Sequence, residues 1–264
     1  MPRREHAKLH NPPLKKMLIQ LRYPAEFGFD STLIRPLQKV LAPRFPVASG
    51  EQFIAGVMVG VTVNQEIKAP PVEFKQLFRF ATLDGEGVVQ VTEDFIAYET
   101  TGYNRFADFI EVWRETIELV VEKLELGTQL RLGLRYSNII ENPSITTVEE
   151  WQGLIADHLL MPVIESGKEL DATCFTARQE LRYNTPYGTC TLNHGFTASE
   201  ADGPSGSGYV LDIDSYDEIP KPINIEQQLG TLAKWNDQTY RLLRKSVSDD
   251  LWKSFNPDDV EGKR

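Results

Sequence analysis

The stretch that decides the fold is Gln129-Leu130-Arg131-Leu132-Gly133-Leu134-Arg135-Tyr136-Ser137-Asn138-Ile139-Ile140, near the middle of a chain of 264 residues. Its apolar residues alternate with charged, polar or small ones, which is the pattern of a β-strand with one buried face. The triplet Leu134-Arg135-Tyr136 also occurs in the first strand-like segment of the chain, as Leu21-Arg22-Tyr23. We therefore interpret these two strands as the openings of two copies of one structural unit.

The segments before this central strand predict the element order β-α-β-β-β-α. Segments that alternate or are rich in Val, and that end at Pro, Gly or Asp, indicate strands, whereas apolar residues at helical spacing indicate helices. In chain order the predicted elements are a strand at Leu14–Tyr23, a helix capped by Asp30 or Ser31, strands at Phe53–Val63, Gln76–Leu83 and Val88–Tyr98, and a long helix capped by Asn104.

The second half of the chain predicts the same order. After the central strand we expect a helix that begins near Thr146 with a capping box, buries His158 on its apolar stripe and ends at Pro162. The Gly- and Ser-rich segment 199–207 predicts a flexible loop. The remaining predicted elements are strands at Leu170–Tyr183, Thr189–Thr197 and Gly208–Tyr216, and a helix capped by Asn224 that restarts after Ser248.

The sequence thus predicts an α+β fold of two pseudo-repeated β-α-β-β-β-α units, 1–127 with an N-terminal arm and 128–264, within one compact domain. Because hairpins join the strands, we expect an antiparallel sheet with the helices packed on one face. The other face then carries the candidate binding residues. These are Arg22, Arg135 and Arg182, from three Leu-Arg-Tyr triplets, together with Asp212 and Asp214.

Composition and charge narrow the class of protein. The net charge of −10 argues against general nucleic-acid binding, which depends on neutralising phosphates, so contact with nucleic acid is expected only through a partner. Two cysteines indicate a reducing, cytoplasmic setting without a disulfide framework. No apolar segment reaches the roughly 20 residues of a membrane helix. We therefore expect a cytoplasmic protein that does not contact a membrane.

The candidate catalytic groups do not form a recognisable constellation. Asp212 and Asp214 share one strand face and could bind Mg²⁺ or Ca²⁺, but no third ligand has a matching spacing, and ion pairs with the strand arginines are favoured instead. Cys190 and His194 lie four residues apart on one strand, which is about 13 Å and too far for a nucleophile and its base. We expect no catalytic residues, no metal and no cofactor.

Four short features together resemble a sporadically distributed bacterial family of uncharacterised proteins of similar length. They are Pro12-Pro13 before the first strand, the central Leu-Arg-Tyr-x-Asn segment at 134–138, Leu-Asp-Ile-Asp at 211–214, and a long closing helix. The resemblance carries over no residue role. It implies mobile genetic cargo, such as defence, toxin–antitoxin or immunity modules, by association alone.

Three functions are open at this point. The first is a protein-binding component of a bacterial defence or toxin–antitoxin-like system, whose partner is encoded by a neighbouring gene. The second is a module that senses an anionic small molecule at the seam between the two units, with Arg22, Arg135 and Arg182 as ligands. The third is a metal-dependent hydrolase or nuclease that uses Asp212 and Asp214. A cluster of Leu251, Trp252 and Phe255 near the C-terminus could belong to the core or dock another chain.

Overall fold

An antiparallel sheet of nine strands is the framework of the part of the chain that the computed structural model describes, residues 6–26, 28–54, 74–174, 176–197 and 208–258. Its strand order is β2-β3-β4-β5-β1-β7-β10-β9-β8. The strands are β1 (Leu14–Arg22), β2 (Val47–Ile54), β3 (Phe74–Ala81), β4 (Gly87–Val91), β5 (Phe95–Thr100), β7 (Arg131–Glu141), β8 (Thr176–Thr185), β9 (Gly188–Thr197) and β10 (Gly208–Asp217). A separate two-stranded ladder joins β6 (Thr128–Gln129) to β11 (Lys221–Pro222).

Five α-helices complete the described fold, so the α+β class is confirmed. They are α1 (Ser31–Leu41), α2 (Phe106–Lys123), α3 (Asp157–Glu169), α4 (Ile225–Ser246) and α5 (Asp249–Ser254), with a 3₁₀ turn at Glu149–Trp151. Side-chain caps at Asp30, Asn224 and Ser248 accept hydrogen bonds from the first turns of α1, α4 and α5, as the sequence predicts. None of the helices in the described ranges is long and apolar enough to cross a membrane.

The two strands with the shared triplet lie side by side at the centre of the sheet. β1 pairs antiparallel with β7, and Gln20 lies opposite Gly133. Strands β5 to β2 extend the sheet on the β1 side, and β10, β9 and β8 extend it on the β7 side. The alternation seen in the sequence sets the faces, because every second residue is buried from Met17 to Leu21 in β1 and from Leu132 to Ile140 in β7.

The helices pack on one face of the sheet and divide its core into two hydrophobic clusters. The first cluster joins the inward residues of β1, β4, β5 and β7 to α1, α2 and the first half of α4. The second joins β9, β10 and the end of β7 to Trp151, α3, the end of α4 and α5. Helix α4 therefore spans both clusters and crosses the seam between them. Trp252 and Phe255 are buried in the second cluster.

The first half of the chain differs from its prediction in three places. The segment Val88–Tyr98 is two strands, β4 and β5, because Thr92 folds back and its hydroxyl accepts from the N–H of Phe95. Helix α2 has Arg105 at its N-cap rather than Asn104, whose side chain donates to Asp108. Of the predicted strand 53–63, residues 53–54 belong to β2 and the rest lies outside the described residues.

The predicted helix from Thr146 to Pro162 is wrong. Gly153 has a φ of 77°, so the chain turns after the 3₁₀ segment and α3 begins only at Asp157. Pro162 lies inside α3 rather than at its end. Because of this shift His158 is exposed instead of buried.

The strand predicted from Leu170 begins only at Thr176. Leu170 instead caps the C-terminus of α3, and Asp171 has a φ of 49°, which ends the helix. Segment 199–207 lies outside the described residues. Four strands of the nine-stranded sheet follow α1, whereas three strands of that sheet and the short β11 follow α3, so the halves are not identical in element order and a pseudo-repeat is not established by the fold alone.

Candidate functional site

The five sequence-predicted site residues all lie on the sheet face opposite the helices. Arg22 comes two residues after Gln20 on β1, and Arg135 comes two residues after Gly133 on β7. Because Gln20 pairs with Gly133 and the strands are antiparallel, the two arginines lie on opposite sides of that pair. One row of directly opposite residues crosses four strands in the order Arg182 on β8, Thr191 on β9, Asp214 on β10 and Arg135 on β7. Adjacent strands are about 4.8 Å apart, which puts roughly 14 Å between the backbones of Arg135 and Arg182.

Arg135 and Asp212 form a two-pronged ion pair across β7 and β10. The Nε and Nη2 atoms of Arg135 donate to the two carboxylate oxygens of Asp212 at 2.8 and 2.5 Å, and the hydroxyl of Ser137 donates to the same carboxylate at 3.2 Å. The hydrogen bonds to Asp212 raise the pKa of Arg135. This bidentate pair engages both carboxylate oxygens of Asp212 and two N–H groups of Arg135.

Asp214 pairs with Arg131, which the sequence analysis did not single out. The Nη2 of Arg131 donates to the Asp214 carboxylate at 2.9 Å, and its guanidinium lies 4.6 Å from the ring centre of Tyr216. Burial raises the pKa of Asp214, against the opposing effect of Arg131. The signal was available, because Arg131 has the same parity as Arg135 on β7 and must share its face.

The remaining two arginines do not join this cluster. Arg22 approaches Asp94 at 3.5 Å, and Asp94 is held more closely by Lys75 at 2.9 Å. Among the described residues, Arg182 has an ion-pair contact only with Glu180 of its own strand, at 3.5 Å. The structure therefore brings together Arg135, Asp212 and Asp214 and leaves Arg22 and Arg182 apart. An anion groove lined by the three predicted arginines does not form.

The surroundings of His194 and Cys190, which are both buried on β9, fit a structural role rather than a catalytic one. The Nδ1 of His194 lies 2.9 Å from the hydroxyl of Tyr209, and burial lowers the pKa of His194. Burial also raises the pKa of the Cys190 thiol, which is the opposite of what activates a cysteine nucleophile. Within the described ranges no three His, Cys, Asp or Glu residues are grouped so as to hold a metal ion.

A cavity of about 640 Å³ lies on the helix side of the sheet, where the two hydrophobic clusters meet. Its volume falls within the range of about 300–1,000 Å³ that is usual for small-molecule sites. Residues of segments 6–14 and 103–107 from the first half of the chain and Tyr136 and Leu243 from the second half line it, so the cavity lies at the seam between the two halves. Its walls come from β7, the first turn of α2, the middle of α4 and the N-terminal segment 6–14.

Neutral polar groups project from the inner wall of the cavity. The hydroxyl of Tyr136 donates to the side-chain carbonyl of Asn236 at 2.6 Å, and burial raises the pKa of Tyr136 well above its ordinary value. The amide of Asn138 donates to the backbone carbonyl of Leu211 at 2.9 Å. Thr239 is only 3% exposed, and its hydroxyl has no hydrogen-bond partner among the described residues.

The N-terminal segment 6–14, called the strap below, covers one side of the cavity. The backbone N–H of His10 donates to the carbonyl of Asn256, and the N–H of Asp258 donates to the carbonyl of Lys8. The ring of His6 stacks on Tyr240 with centroids 4.0 Å apart, and its Nε2 lies 2.6 Å from Asp237. These contacts tie the strap to both α4 and the C-terminal segment.

None of the sequence-predicted site residues lines this cavity, although α4 carries a signal. Its inward stripe runs Leu232, Trp235, Asn236, Thr239, Leu243, of which Asn236 is partly buried and the others are buried, at the spacing expected of one helix face. Asn236 and Thr239 are polar residues in the middle of this otherwise apolar stripe, and they indicate a place where the apolar core is interrupted. The apolar residues of α4 alone do not show this interruption.

Comparison with known proteins gives no further guide to the activity. No protein-family model matches the chain. A search of the curated proteins likewise gives no match. The functional assignment therefore depends on the cavity and the surfaces described above.

Proposed function

We propose that this protein is a non-enzymatic module that binds a small molecule in the seam cavity. The observation that carries the proposal is the cavity itself, about 640 Å³ in volume and partly open to solvent, where the two hydrophobic clusters meet. The lining combines apolar walls with a few convergent polar groups, which is the usual composition of a ligand site.

The place of the cavity fits an origin by duplication, which we propose as part of the same hypothesis. In both halves a central strand is followed by a helical crossover and by strands that return toward the centre, β5 beside β1 and β10 beside β7. A ligand bound at the seam would contact elements of both halves at once. Binding would then stabilise their contact, which is how such a module senses its ligand.

The proposal is tested with two fluorescent probes of nearly the same shape, phenylnaphthylamine, which is neutral, and anilinonaphthalenesulfonate, which is anionic. Ala107 lines the cavity from the exposed first turn of α2, so Ala107→Trp fills the entrance with little effect on the core. The matched control is Leu83→Trp, in an exposed turn away from the cavity. We expect saturable binding of at least one probe to the natural protein and to Leu83→Trp, and its loss in Ala107→Trp. Absence of saturable binding of both probes, or binding unaffected by Ala107→Trp, contradicts the proposal.

A second candidate function is contact with a protein partner through the open sheet face. Both hydrophobic clusters draw only on inward-facing residues of the sheet, so the described helices leave the other face uncovered. On it the edge strand β8 presents Arg178, Glu180 and Arg182, all exposed. The resemblance to a sporadic bacterial family favours a partner encoded by a neighbouring gene, in a defence or toxin–antitoxin-like system.

Co-expression with the products of adjacent genes tests this candidate. We expect a complex that changes the activity of the partner and is weakened by Arg182→Glu. The control Arg35→Glu changes an exposed charge on α1, which packs on the helix side of the sheet. Equal binding by both variants would exclude the open face, and co-purification without an effect on the partner would argue against a regulatory role.

A further inference from the structure

Strand β8 is the last strand of the sheet in the described part of the chain, and its outer edge fits a second copy of itself. We propose that the protein forms a symmetric dimer in which the β8 strands of two copies pair antiparallel, with Arg178 of each copy opposite Glu180 of the other. This pairing would join the two nine-stranded sheets into one continuous sheet. The inference concerns the edge of the sheet and does not rest on the seam cavity.

The outer side of β8 presents backbone hydrogen-bonding groups along the whole strand. β8 has ten residues, Thr176 to Thr185, and no described strand lies beyond it. A two-residue turn joins β8 to β9, and its closing pair is Thr185 and Gly188, so the odd-numbered residues of β8 exchange hydrogen bonds with β9. The N–H and C=O groups of the even-numbered residues therefore point away from β9. A long strand with such an edge is a template for pairing with another strand.

The charges of the even-numbered residues match a second copy of the strand. Arg178, Glu180 and Arg182 are all exposed, and their charges alternate in sign. In a symmetric antiparallel pair, a register centred on Glu180 puts the arginines opposite each other and Glu180 opposite itself, which is unfavourable. Registers centred on Gln179 or on Leu181 instead put Glu180 of each copy opposite Arg178 or Arg182 of the other. Each of these two registers forms two equivalent ion pairs, as a two-fold interface requires.

A groove beside β8 favours the register centred on Gln179. The groove has a volume of about 460 Å³, and residues of α3 and of the start of β8 line it, among them Leu170, which is 75% exposed, and Ala177. Tyr183 is 47% exposed and shares the helix side of the sheet with Leu181, which packs against the second cluster. In this register Tyr183 of one copy lies just beyond Ala177 of the other, in the middle of the groove. The dimer therefore covers two exposed apolar side chains, Tyr183 and Leu170, on each copy.

Sedimentation equilibrium of the full chain measures the dissociation constant of the dimer, in the natural protein and in charge variants of β8. We expect Arg178→Glu and Glu180→Arg each to raise this constant by about tenfold or more, because each variant turns two attractions across the interface into two repulsions. The double variant exchanges the charges and restores both pairs, so its constant should return to within about threefold of the natural value. The matched control is Arg182→Glu, since Arg182 lies opposite the uncharged Thr176 in this register, and it should leave the constant nearly unchanged.

Amide hydrogen exchange of the natural protein gives a second readout that needs no variant. We expect exchange at Arg178 and Glu180 to slow as the protein concentration rises, whereas Gln179 and Leu181, which bond to β9 in either state, should not change. A protein that stays monomeric at about 1 mM would overturn the inference. So would a dimer without this protection, a dimer that the double variant does not restore, or one that Arg182→Glu weakens as much as Arg178→Glu.

Discussion

Replacing Thr239 with Val tests whether a buried hydroxyl without a partner on α4 costs this protein stability. Thr239 is 97% buried, its hydroxyl has no partner among the described residues, and Val has nearly the same shape without the hydroxyl. A buried polar group without a partner costs about 1–3 kcal/mol, so its removal should raise the free energy of unfolding by about 1 kcal/mol. In a protein of this size that corresponds to a rise in melting temperature of about 2–4 °C.

The assay is urea unfolding of the ligand-free protein, followed by tryptophan fluorescence. Ser246→Ala is the matched control on the same helix, because the hydroxyl of Ser246 donates to the carbonyl of Leu242 at 2.8 Å. Its removal should lower the free energy of unfolding by about 1 kcal/mol, the usual net value of a satisfied hydrogen bond. The two variants are therefore expected to change stability in opposite directions.

A destabilised Thr239→Val would refute the reasoning, because it would mean that the hydroxyl is paired in solution. Stabilisation of Thr239→Val together with destabilisation of Ser246→Ala is the expected result.

Three further predictions concern the fold around the site. A methyl group at Gly195 would overlap the carbonyl of Ala177 on the edge strand, so Gly195→Ala should lower the free energy of unfolding by about 1–3 kcal/mol. Gly230 lies in an open position on α4, so Gly230→Ala should raise the free energy of unfolding by about 0.5–1 kcal/mol. Urea unfolding measures both changes. Burial opposes ionisation of Asp94, but hydrogen bonds from Lys75 and Thr92 hold its pKa in the folded protein below the ordinary 3.8. The ionised Asp94 therefore stabilises the fold above pH 3.8, and this stabilisation is lost as the pH falls through the pKa of the folded protein. Asp94→Asn should accordingly flatten the acid limb of stability against pH, and an unchanged acid limb would contradict the assignment. Trp252→Ala should cost about 3–5 kcal/mol, because the ring is 7% exposed and packs on the second cluster; unchanged stability in thermal unfolding would favour a docking role instead.

Much of the architecture was predictable because local patterns and global packing agree. The alternation in β1 and β7 set their buried faces, and the caps at Asp30, Asn224 and Ser248 set three helix starts. The errors occurred where short-range signals compete. Thr146 and Pro162 suggested the two ends of a helix, but the positive φ of Gly153 separates a 3₁₀ turn from α3.

The sequence predicts that acids and arginines form ion pairs on the open face, but it does not predict which residues pair with each other. The acids of β10 and the arginines of β7 share a face by parity, which the sequence alone indicates. The register puts Arg135 opposite Asp214, but the side chains reach diagonally between β7 and β10. Arg135 pairs with Asp212, and Asp214 pairs with Arg131 rather than with Arg22 or Arg182.

The α+β class and the division into inward and outward faces could be predicted without the structure, because they follow from periodicities of two and 3.6 residues. The central position of β1 and β7 in the sheet and the cavity at the seam could not. The cavity is lined by β7, α2, α4 and a strap from the start of the chain, which are far apart in sequence. No local pattern records a space between such segments, because its volume depends on how closely two clusters approach each other.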